Sequence, residues 1–460
     1  MTNNRVLVIF TRDLRVNDNP ALSYAASNFD EVFPLFVIDE KYFENITYSN
    51  NRRAYLYECL NDLKNTLQKL GSDLIIKKGD WHSEVTDFVN KNKITYVTWA
   101  KDVSEINQVR DKELSAHLRK MKIGFHQTNS HFAVAPGVIT PQNKNSEYKV
   151  FTPYYNKWRE QPFHSIESKI TSLPKLEKYF PSKNIGVVPK LTNAQKKSCS
   201  ANRQIGGETL IRKHLNKWIK NGLEKYDLLR DFPRYENSNL SSALHFGTIS
   251  ANEIVFKLKK MPKSDPFLRQ ICWRDFYGQI LFFNPQSSYK NYLDKKYGWN
   301  DDEEAFDKWC YGKTGYPIVD AAMKQLMHEG YMHNRCRMIV ASFLTKDLFI
   351  DWQKGAWWFS QWLTDADAAN NSLGWQWVAG TGTDTNPHRI FNPIRQSERF
   401  DEHGEYIKKY LPELKDVPEK YIHFPCEMNQ SLFESTDSLD YPLPMIDHKI
   451  AIEFYKQQIS

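Results

Sequence analysis

The sequence predicts an N-terminal α/β domain with a doubly wound parallel sheet, followed by an all-helical C-terminal domain. Short β-branched runs alternate with helical patterns near the N-terminus, an order typical of parallel sheets. Towards the C-terminus, apolar residues recur at helical spacing and strand-like runs are scarce. Between these parts seven prolines interrupt the chain, which indicates a long surface connection. We therefore expect an α/β domain over 1–130, a linker over 131–204 and a helical domain over 205–460.

Four buried strands are predicted in the α/β domain, at 5–10, 32–38, 73–78 and 95–100. The clearest helix between them ends at Gly71, because glycine is common at helix C-termini. Parallel sheets of this kind bind ligands beyond the carboxyl ends of their strands. Neither GxGxxG nor the P-loop motif follows the first strand, so a dinucleotide or P-loop site is not predicted.

The composition is that of a globular protein with large cores, since 41% of the 460 residues are apolar and 14% are aromatic. A formal net charge of +7 tolerates an anionic partner without requiring one. The six cysteines are scattered without a CxxC pair, which favours reduced thiols over disulfides or a metal site. Neither a signal peptide nor a long apolar run is recognisable, so we expect a soluble cytosolic protein without a membrane partner.

Two segments on the N-terminal side of residue 312 have compositions that suggest a ligand contact. The stretch 148–159 is aromatic and basic, and its rings either pin a loop to the core or contact a ligand directly. The polar turn from Asn237 to Ser242 could hold a phosphate, although a serine-rich helix cap is a commoner reason for such a turn. The following amphipathic helix places Gln270, Trp273 and Arg274 within about one turn.

The region 312–377 has the densest combination of acids, amides and tryptophans. Helical spacing places Asn334 and Met338 on one face, with Arg337 one turn after Asn334. A polar loop then supplies three more side chains: Asp365, Asp367 and Asn371. This combination favours a large, planar, hydrogen-bonding ligand. The alternative is a tryptophan-rich helical core with solvated acids beside it.

Long motifs along nearly the whole chain resemble the photolyase/cryptochrome family, and especially its microbial cyclobutane pyrimidine dimer photolyases. They include FTRDLRVNDNPAL, VFTPYYNKW, NSNLS, WRDFY, MHNRCRMIVASFLTKDLFIDW and DADAANNSLGWQW, in the family's order. The resemblance implies an antenna domain, a linker and a helical domain that holds U-shaped FAD. It also implies a deoxyribodipyrimidine photo-lyase, which splits dimers in UV-damaged DNA by light-driven electron transfer from excited reduced FAD to a flipped-out lesion.

The resemblance also implies which residues contact FAD. Tyr226 and the NSNLS turn match diphosphate contacts, and the turn contributes Asn237, Ser238, Leu240 and Ser241. Arg337 and Asp365 match an ion pair that lies against the flavin and the diphosphate. Asp367 matches a partner of the flavin or adenine edge, and Asn371 matches the residue that faces flavin N5.

A second set of residues matches the family's lesion and DNA contacts. Trp273 and Trp377 match two lesion-stacking tryptophans, Met338 a pocket-lining residue, and Asn334 a residue that bonds both base and flavin. Gln270 replaces a pocket glutamate of the best-known microbial enzymes. The family's phosphate-binding arginines are matched by Arg230, Arg335 and Arg389.

Three tryptophans, Trp375, Trp352 and Trp299, match the chain that reduces oxidised flavin after light absorption. With Asn334 and Gln270, they are the residues that the resemblance assigns to the chemistry. We expect cyclobutane dimers as substrate rather than six-four photoproducts. The branch that repairs the latter uses histidine at the positions of Asn334 and Met338, and neither an amide nor a thioether is a useful acid.

Other functions stay open at this stage. A blue-light-sensing cryptochrome acts through protein interactions and usually carries a long C-terminal extension, which we do not expect here. A light-independent flavin electron-transfer protein would not need stacking tryptophans together with an arginine rim. A second chromophore could be methenyltetrahydrofolate, a deazaflavin, a flavin or none, because residues 102–108 do not clearly match folate contacts. We expect a cytoplasmic monomer that is associated with the nucleoid if the source is bacterial.

Overall fold

A computed structural model describes residues 4–39, 41, 48–142, 145–178, 180–431 and 439–459. Its N-terminal part is a five-stranded sheet in which all neighbours are parallel, in the order β3-β2-β1-β4-β5. The strands are β1 (Arg5–Ile9), β2 (Glu31–Asp39), β3 (Ile75–Gly79), β4 (Tyr96–Ala100) and β5 (Gly124–Thr128). The predicted doubly wound parallel sheet is therefore confirmed.

Strand β5 is not among the four predicted strands. Its sequence, GFHQT, contains no buried apolar run, and most of its residues are half-buried or exposed. It lies at the edge of the sheet and pairs only with β4 among the described strands. Pattern-based prediction depends on apolar runs, so an edge strand held mainly by backbone hydrogen bonds leaves little signal.

Alternate residues of β1 face two separate cores, because successive side chains of a strand point to opposite faces. Val6 and Val8 pack into one core, and Leu7 and Ile9 pack into the other. Two helices cover the first face (Pro20–Asn28 and Asn50–Lys69) and two cover the second (Trp81–Lys91 and Glu105–Lys120). The strand order reverses between β1 and β4, and their carboxyl ends open a crevice there.

The linker is more ordered than its prolines indicate. Its aromatic stretch forms a helix, Phe151–Arg159, whose four buried rings are Phe151, Tyr154, Tyr155 and Trp158. The expected loop is thus a helix, and its rings pack into the core of the helical domain. This arrangement agrees with the interpretation that the rings pin the segment to the core. The expectation of a loop was wrong because Pro153 lies in the first turn of the helix, where proline is tolerated.

The C-terminal part is helical, as predicted. Its helices are Glu208–Asn221, Tyr226–Leu229, Ser241–Phe246, Ala251–Leu258, Asp265–Phe283, Glu303–Cys310, Pro317–Glu329, Asn334–Ser342, Trp352–Trp362, Ala368–Ala379, Pro393–Phe400, Glu405–Tyr410, Cys426–Ser431 and His448–Ile459. A π-helical turn, Phe343–Asp347, continues the helix Asn334–Ser342. In the described part of the chain, none of the helices is both long and apolar enough to cross a bilayer.

A buried arginine joins the two domains. Arg15 is 1% exposed, and its guanidinium donates to the carbonyls of Asp18, Ser130 and Gly247. Gly247 has a φ of +65°, and a Cβ there would lie 1.8 Å from the Arg12 carbonyl oxygen. Only glycine fits this approach, so the helical domain sits directly against the segment that follows β1.

Candidate active site

A cavity of about 480 Å³ opens within the helical domain. Most of the residues proposed for cofactor and lesion line it: Tyr226, Arg230, Asn237, Ser238, Leu240, Ser241, Gln270, Trp273, Asn334, Arg337, Met338, Asp365, Asp367, Asn371, Trp375 and Trp377. Residues more than 150 positions apart in the chain thus meet in one space, as the interpretation of a large planar ligand requires.

An ion pair lies in the wall of this cavity. Arg337 Nη2 donates to both carboxylate oxygens of Asp365, at 2.8 and 3.1 Å, and Arg337 Nε donates to the Met332 carbonyl at 2.9 Å. The Asp365 side chain is only 4% exposed, whereas that of Arg337 is 28% exposed. The carboxylate therefore fixes the guanidinium from behind and leaves part of it available to an anionic group.

Asp367 and Asn371 are oriented by the start of the next helix. Asp367 is the N-cap of Ala368–Ala379 and accepts from the Asn370 backbone N–H at 2.8 Å. Asn371 lies in the first turn of this helix, so its expected place in a loop is wrong. The helix begins earlier than expected because Asp367 is a good N-cap. Asn371 Nδ2 donates to the Ala356 carbonyl at 3.0 Å, which leaves Oδ1 as the amide atom able to accept from a ligand.

Two buried polar atoms at the cavity have no hydrogen-bond partner among the described residues. They are Ser241 Oγ and Trp375 Nε1. Buried polar groups are normally paired, so these atoms indicate a polar ligand. A cavity with a half-free guanidinium, orphaned donors and aromatic walls fits a flavin nucleotide.

On the opposite wall, the helix Asp265–Phe283 presents Gln270 and Trp273 to the cavity. The Trp273 ring stacks on Phe151 of the linker helix, with ring centroids 3.7 Å apart and planes 1° apart. Asn334 and Met338 share a helix face as predicted, with Asn334 Nδ2 3.8 Å from Met338 Sδ. Trp377 completes this wall from the helix Ala368–Ala379.

The three predicted arginines occupy different environments. Arg230 lines the cavity and lies 3.5 Å from Asp227. Arg335 is outside the lining, donates to Asp231 at 2.8 Å and stacks on Phe400 at 4.3 Å. Arg389 is also outside the lining. Its side chain is 43% exposed and its guanidinium lies 5.2 Å from the Trp377 ring centroid.

The three tryptophans of the proposed electron chain differ in burial, and only Trp375 lines the cavity. Trp375 is 3% exposed and packs against Gly355, one turn after Trp352. Trp352 is 1% exposed, and its Nε1 donates to Asn291 Oδ1 at 2.8 Å. Trp299 is half-buried and packs against Phe349, with centroids 4.9 Å apart. Backbone pairing of Asn300 with Ile350 keeps Trp299 beside the segment that leads to Trp352.

Comparison with known proteins agrees with this geometry. The model of the family described as DNA photolyase matches residues 6–174, and that described as FAD binding domain of DNA photolyase matches residues 267–460. The chain belongs to the DNA photolyase family. The deoxyribodipyrimidine photo-lyase of Streptomyces griseus is 37% identical over 447 residues, which cover 96% of each protein. That of Escherichia coli is 34% identical and covers 97% of this chain and 96% of the relative.

Solved structures of photolyases share the complete architecture. A bacterial class III photolyase from Agrobacterium tumefaciens has a TM-score of 0.86 at 32% identity, covering 100% of this chain and 98% of the other. A cryptochrome from Synechocystis has a TM-score of 0.89 at 25% identity, with complete coverage of both chains. The two-part fold and the FAD-binding nature of the helical domain are thereby confirmed, whereas the individual site residues stay predictions.

The sequence patterns did not reveal several residues at the photolyase cavity. Asn370 lines it beside Asn371, and the paired asparagines of DADAANN are a signal from which it could have been predicted. Behind the lining, the wholly buried Trp309 contacts Trp375 with ring centroids 6.0 Å apart, but its segment has no motif that marks it. Tyr331 also lines the cavity, and the Arg337 guanidinium lies 5.7 Å from its ring. Such contacts between distant segments leave no local signal.

A second cleft of about 450 Å³ lies between the two domains of the photolyase. Arg12 and Asp102, at the carboxyl ends of β1 and β4, line it and pair at 2.8 Å. Burial alone would raise the pKa of Asp102, but Arg12 and His131 hold the pKa well below its usual value. The half-exposed rings of Tyr289 and Trp357 stand at the cleft as well.

Proposed function

We propose that this photolyase is a light-driven DNA repair enzyme that splits cyclobutane pyrimidine dimers, the activity of a deoxyribodipyrimidine photo-lyase. The observation that carries the proposal is a single cavity lined by both the Arg337–Asp365 pair and the tryptophans Trp273 and Trp377. A cofactor and a stacked base can therefore lie next to each other. Bound FAD, when reduced and excited by light, would give one electron to the dimer and take it back after the ring has split, so that the repair has no net redox change.

Five residues on one side of the cavity are proposed to bind the FAD diphosphate: Tyr226, Asn237, Ser238, Leu240 and Ser241. The unpaired Ser241 hydroxyl supports this proposal, because a phosphate oxygen would complete its hydrogen bonding. Arg337 supplies positive charge next to them, and Asp365 keeps it in place. Asp367 is assigned to the flavin or adenine edge.

Asn371 is proposed to face the flavin N5. The hydrogen bond from its Nδ2 to the Ala356 carbonyl sets the orientation of the amide, and Oδ1, its acceptor, can accept the N5–H of the reduced ring. An acid in this position would bring a proton of its own, whereas an amide leaves the proton balance unchanged.

The lesion is proposed to leave the duplex and enter between Trp273 and Trp377. Extruding a base costs roughly a few kcal/mol, and less for a damaged pair. Stacking on aromatic side chains returns about 1–3 kcal/mol per base, so two tryptophans can offset the cost. Asn334, Met338 and Gln270 line the same space and are proposed to hold the base edges. Arg230, Arg335 and Arg389 are proposed to hold the flanking phosphates.

Cyclobutane dimers fit this pocket better than six-four photoproducts. Neither Asn334 nor Met338 can donate a proton near neutral pH. His333 is 2% exposed, caps the helix Asn334–Ser342 and accepts from the Arg335 backbone N–H. Burial lowers the pKa of His333 to about 4, so its ring is neutral at pH 7.

We propose an electron path to the flavin that runs through Trp299, Trp352 and Trp375. Each indole that has lost an electron is reduced by the next indole towards the surface. Trp375 and Trp352 are buried and Trp299 is half-buried, which supports a path that ends at the surface with Trp299. A reductant in solution would refill the last indole, Trp299, so that the chain delivers electrons to oxidised FAD and restores the reduced cofactor that repair requires.

A blue-light-sensing cryptochrome is the second candidate function, because the Synechocystis cryptochrome shares the fold over its whole length. Such a function would need no lesion pocket. The combination of Trp273, Trp377 and the arginines therefore favours repair.

The interdomain cleft is proposed to hold a second, light-harvesting chromophore. It lies at the reversal point of the parallel sheet, where such folds bind ligands, and it offers arginines and aromatic rings to a planar anionic molecule. The related archaeal photolyase from Sulfolobus tokodaii holds two FAD molecules, which implies a novel light-harvesting cofactor in that protein. A fluorescence titration would distinguish the candidates. Methenyltetrahydrofolate, a deazaflavin or a flavin is added to this photolyase, and binding is followed by quenching of the added chromophore's fluorescence.

The enzyme is further proposed to act as a monomer in the cytoplasm. In a bacterium we propose that it is associated with the nucleoid, because its proposed substrate is chromosomal DNA. Sedimentation of the purified protein measures the first property. Fluorescence microscopy of a tagged protein measures the second.

The decisive experiment is illumination of the purified, chemically reduced holoprotein with an oligonucleotide that contains one cyclobutane dimer. We expect light-dependent loss of the dimer, and none in the dark. An oligonucleotide with a six-four photoproduct serves as the control and should stay unchanged. Failure to remove the cyclobutane dimer while FAD is bound and reduced would contradict the proposal and favour the sensory function.

A further inference from the structure

A buried lysine holds the chain segment that carries Arg389. Lys346 is 1% exposed and belongs to the π-helical turn Phe343–Asp347. Its Nζ donates to the Arg389 carbonyl and to the Pro387 carbonyl, the latter at 3.2 Å. Lysine is rarely buried without a charged partner. The Lys346 ammonium is hydrogen-bonded by backbone oxygens of one segment, and the carboxylates of Asp384 and Asp347 lie near enough to favour its charge.

The segment that Lys346 holds is the irregular stretch 380–392, which separates Trp377 from the helix Pro393–Phe400. A second lysine, Lys295, donates to the Gly380 carbonyl at 3.0 Å at the other end of this stretch. Near the end of the segment stands Arg389, whose guanidinium lies 5.2 Å from the Trp377 ring. Two lysines therefore fix the backbone on which the proposed phosphate-binding arginine stands.

The C-terminal helix His448–Ile459 supports Lys346 from the other side. The Lys346 ammonium lies 5.5 Å from the Tyr455 ring, a cation–π distance. The neighbouring Asp347 is hydrogen-bonded to His448 Nδ1. These contacts connect the C-terminal helix, through the π-helical turn, to the segment that carries Arg389. Single π-turns are frequent at functional sites.

We propose that Lys346 is a positioning residue for DNA binding, holding the segment 380–392 so that Arg389 is presented beside Trp377 at the cavity mouth. This inference rests on the proposed function, in which Arg389 binds a phosphate next to the lesion. An irregular segment loses conformational freedom when it binds DNA, and anchoring its carbonyls in advance reduces this cost. If Lys346 served only the stability of the fold, its loss would lower DNA affinity equally whether or not the Arg389 side chain is present.

The test is a double-mutant cycle on holoprotein, with dissociation constants measured for duplexes with and without one cyclobutane dimer. We expect Lys346→Met to weaken binding of the dimer duplex about fivefold to tenfold, but less than about twofold in the Arg389→Ala background. The matched control is Lys354→Met, which removes a lysine that pairs with Asp301 and Glu303 on the surface. This control should leave the affinity unchanged. Equal losses in both backgrounds, or no loss in either, would overturn the inference.

A pH titration provides the second measurement and does not depend on the folding of the Lys346 variant. Burial lowers the pKa of Lys346 to about 8, opposed by Asp384 and Asp347 and assisted by Arg389 and Lys295. The Lys346 ammonium is therefore charged below about pH 8 and loses its charge as the pH rises through the pKa. We expect the dimer affinity of the wild type to fall across this range and that of Arg389→Ala to change little. The inference is wrong if the two profiles are parallel, whereas a wild type that does not prefer the dimer duplex would overturn the proposed function itself.

Discussion

At the scale of single residues, the cavity is organised by polar side chains that the protein already holds in place. Asp365 fixes Arg337 from behind, and the Ala356 carbonyl fixes the Asn371 amide. The remaining atoms, part of one guanidinium and one amide oxygen, point to the chemistry that a ligand must offer. Such preorganisation keeps the groups from rearranging when the ligand binds.

The Arg337–Asp365 pair gives the first prediction. Asp365→Asn should reduce FAD retention strongly, because removing one partner of a largely buried pair leaves a charge unpaired, at a typical cost of about 3–5 kcal/mol. The measurement is the ratio of flavin to protein absorbance after purification and dialysis. Glu304→Gln, which alters an exposed pair with Lys308, is the control and should retain FAD fully. Full FAD retention by Asp365→Asn would remove this pair from the cofactor site.

Gln270 gives the second prediction. Its amide donates to a pyrimidine carbonyl without being protonated first, whereas a glutamic acid donates only in its protonated form. The repair yield of Gln270→Glu should therefore fall as the pH rises through the carboxyl pKa of the new glutamate. The repair yield of the wild type should not change with pH through any group at position 270. Repair yield per absorbed photon, measured from about pH 4 to about pH 9 across the usual carboxyl range, checks it. Identical profiles would indicate that position 270 makes no hydrogen bond to the dimer.

At the scale of elements, the linker helix Phe151–Arg159 contributes to the lesion pocket without lining it. Phe151 covers one face of Trp273, and Arg269 lies 5.0 Å from the ring centroids of both Phe151 and Tyr155. Trp273, which lines the cavity, is thus supported from behind by a layer of rings. A tryptophan restrained in this way loses less conformational freedom when a base stacks on it.

This layer gives the third prediction. Phe151→Leu should weaken dimer binding several-fold by releasing Trp273, while FAD content stays unchanged. Phe163→Leu makes the same substitution in the same linker, but the Phe163 ring packs on Trp158 instead. Fluorescence anisotropy of a labelled dimer duplex compares the two variants. A similar loss in both would attribute the effect to linker stability.

The fourth prediction concerns the helix Trp352–Trp362, which carries Trp352, the proposed middle member of the electron chain. Trp352→Phe should slow photoreduction of oxidised FAD strongly, because phenylalanine is much harder to oxidise than indole. Repair by chemically reduced protein should change far less, since it does not need the tryptophan chain. Absorbance changes under blue light follow the first process, and dimer loss follows the second. Equal losses in both assays would contradict the assigned role.

At the scale of the whole molecule, the two domains form one assembly with a cavity in the helical part and a cleft at the junction. Buried Arg15 joins the domains through backbone carbonyls on both sides. Glu208 of the helical domain accepts from the Val16 backbone N–H at 2.7 Å. These contacts fix the cleft and the cavity relative to each other, as energy transfer between two chromophores would require.

The fifth prediction uses the electrostatics of the whole protein, whose net charge is +7. Binding to dimer DNA should weaken with salt, and each lost phosphate contact should flatten the slope of log K against log salt by about 0.9. Arg389→Ala should therefore bind more weakly and with a shallower slope. Titrations across a series of salt concentrations measure it, with Arg159→Ala in the linker helix as the control. A mutant slope equal to that of the wild type would place Arg389 away from the phosphates.

The fold class could be predicted from sequence patterns, because buried strands and amphipathic helices have periodicities that local chemistry dictates. The sequence also placed most of the proposed cavity residues, such as Arg337, Asp365 and Trp273, since these lie in motifs long enough to be matched as units. Edge strand β5 was not predicted, because it lacks an apolar pattern. Asn371 was expected in a loop but lies in the first turn of a helix, because the position of the N-cap decides where that helix begins.

Contacts between distant segments are visible only in the folded structure. Phe151 stacks on Trp273 although the two lie far apart in the chain, and Lys346 holds the Arg389 backbone through contacts between separate elements. The interdomain cleft likewise exists only where the end of a parallel sheet meets the helical domain. Such contacts depend on packing geometry rather than on neighbouring residues, so no local pattern in the sequence encodes them in a readable form.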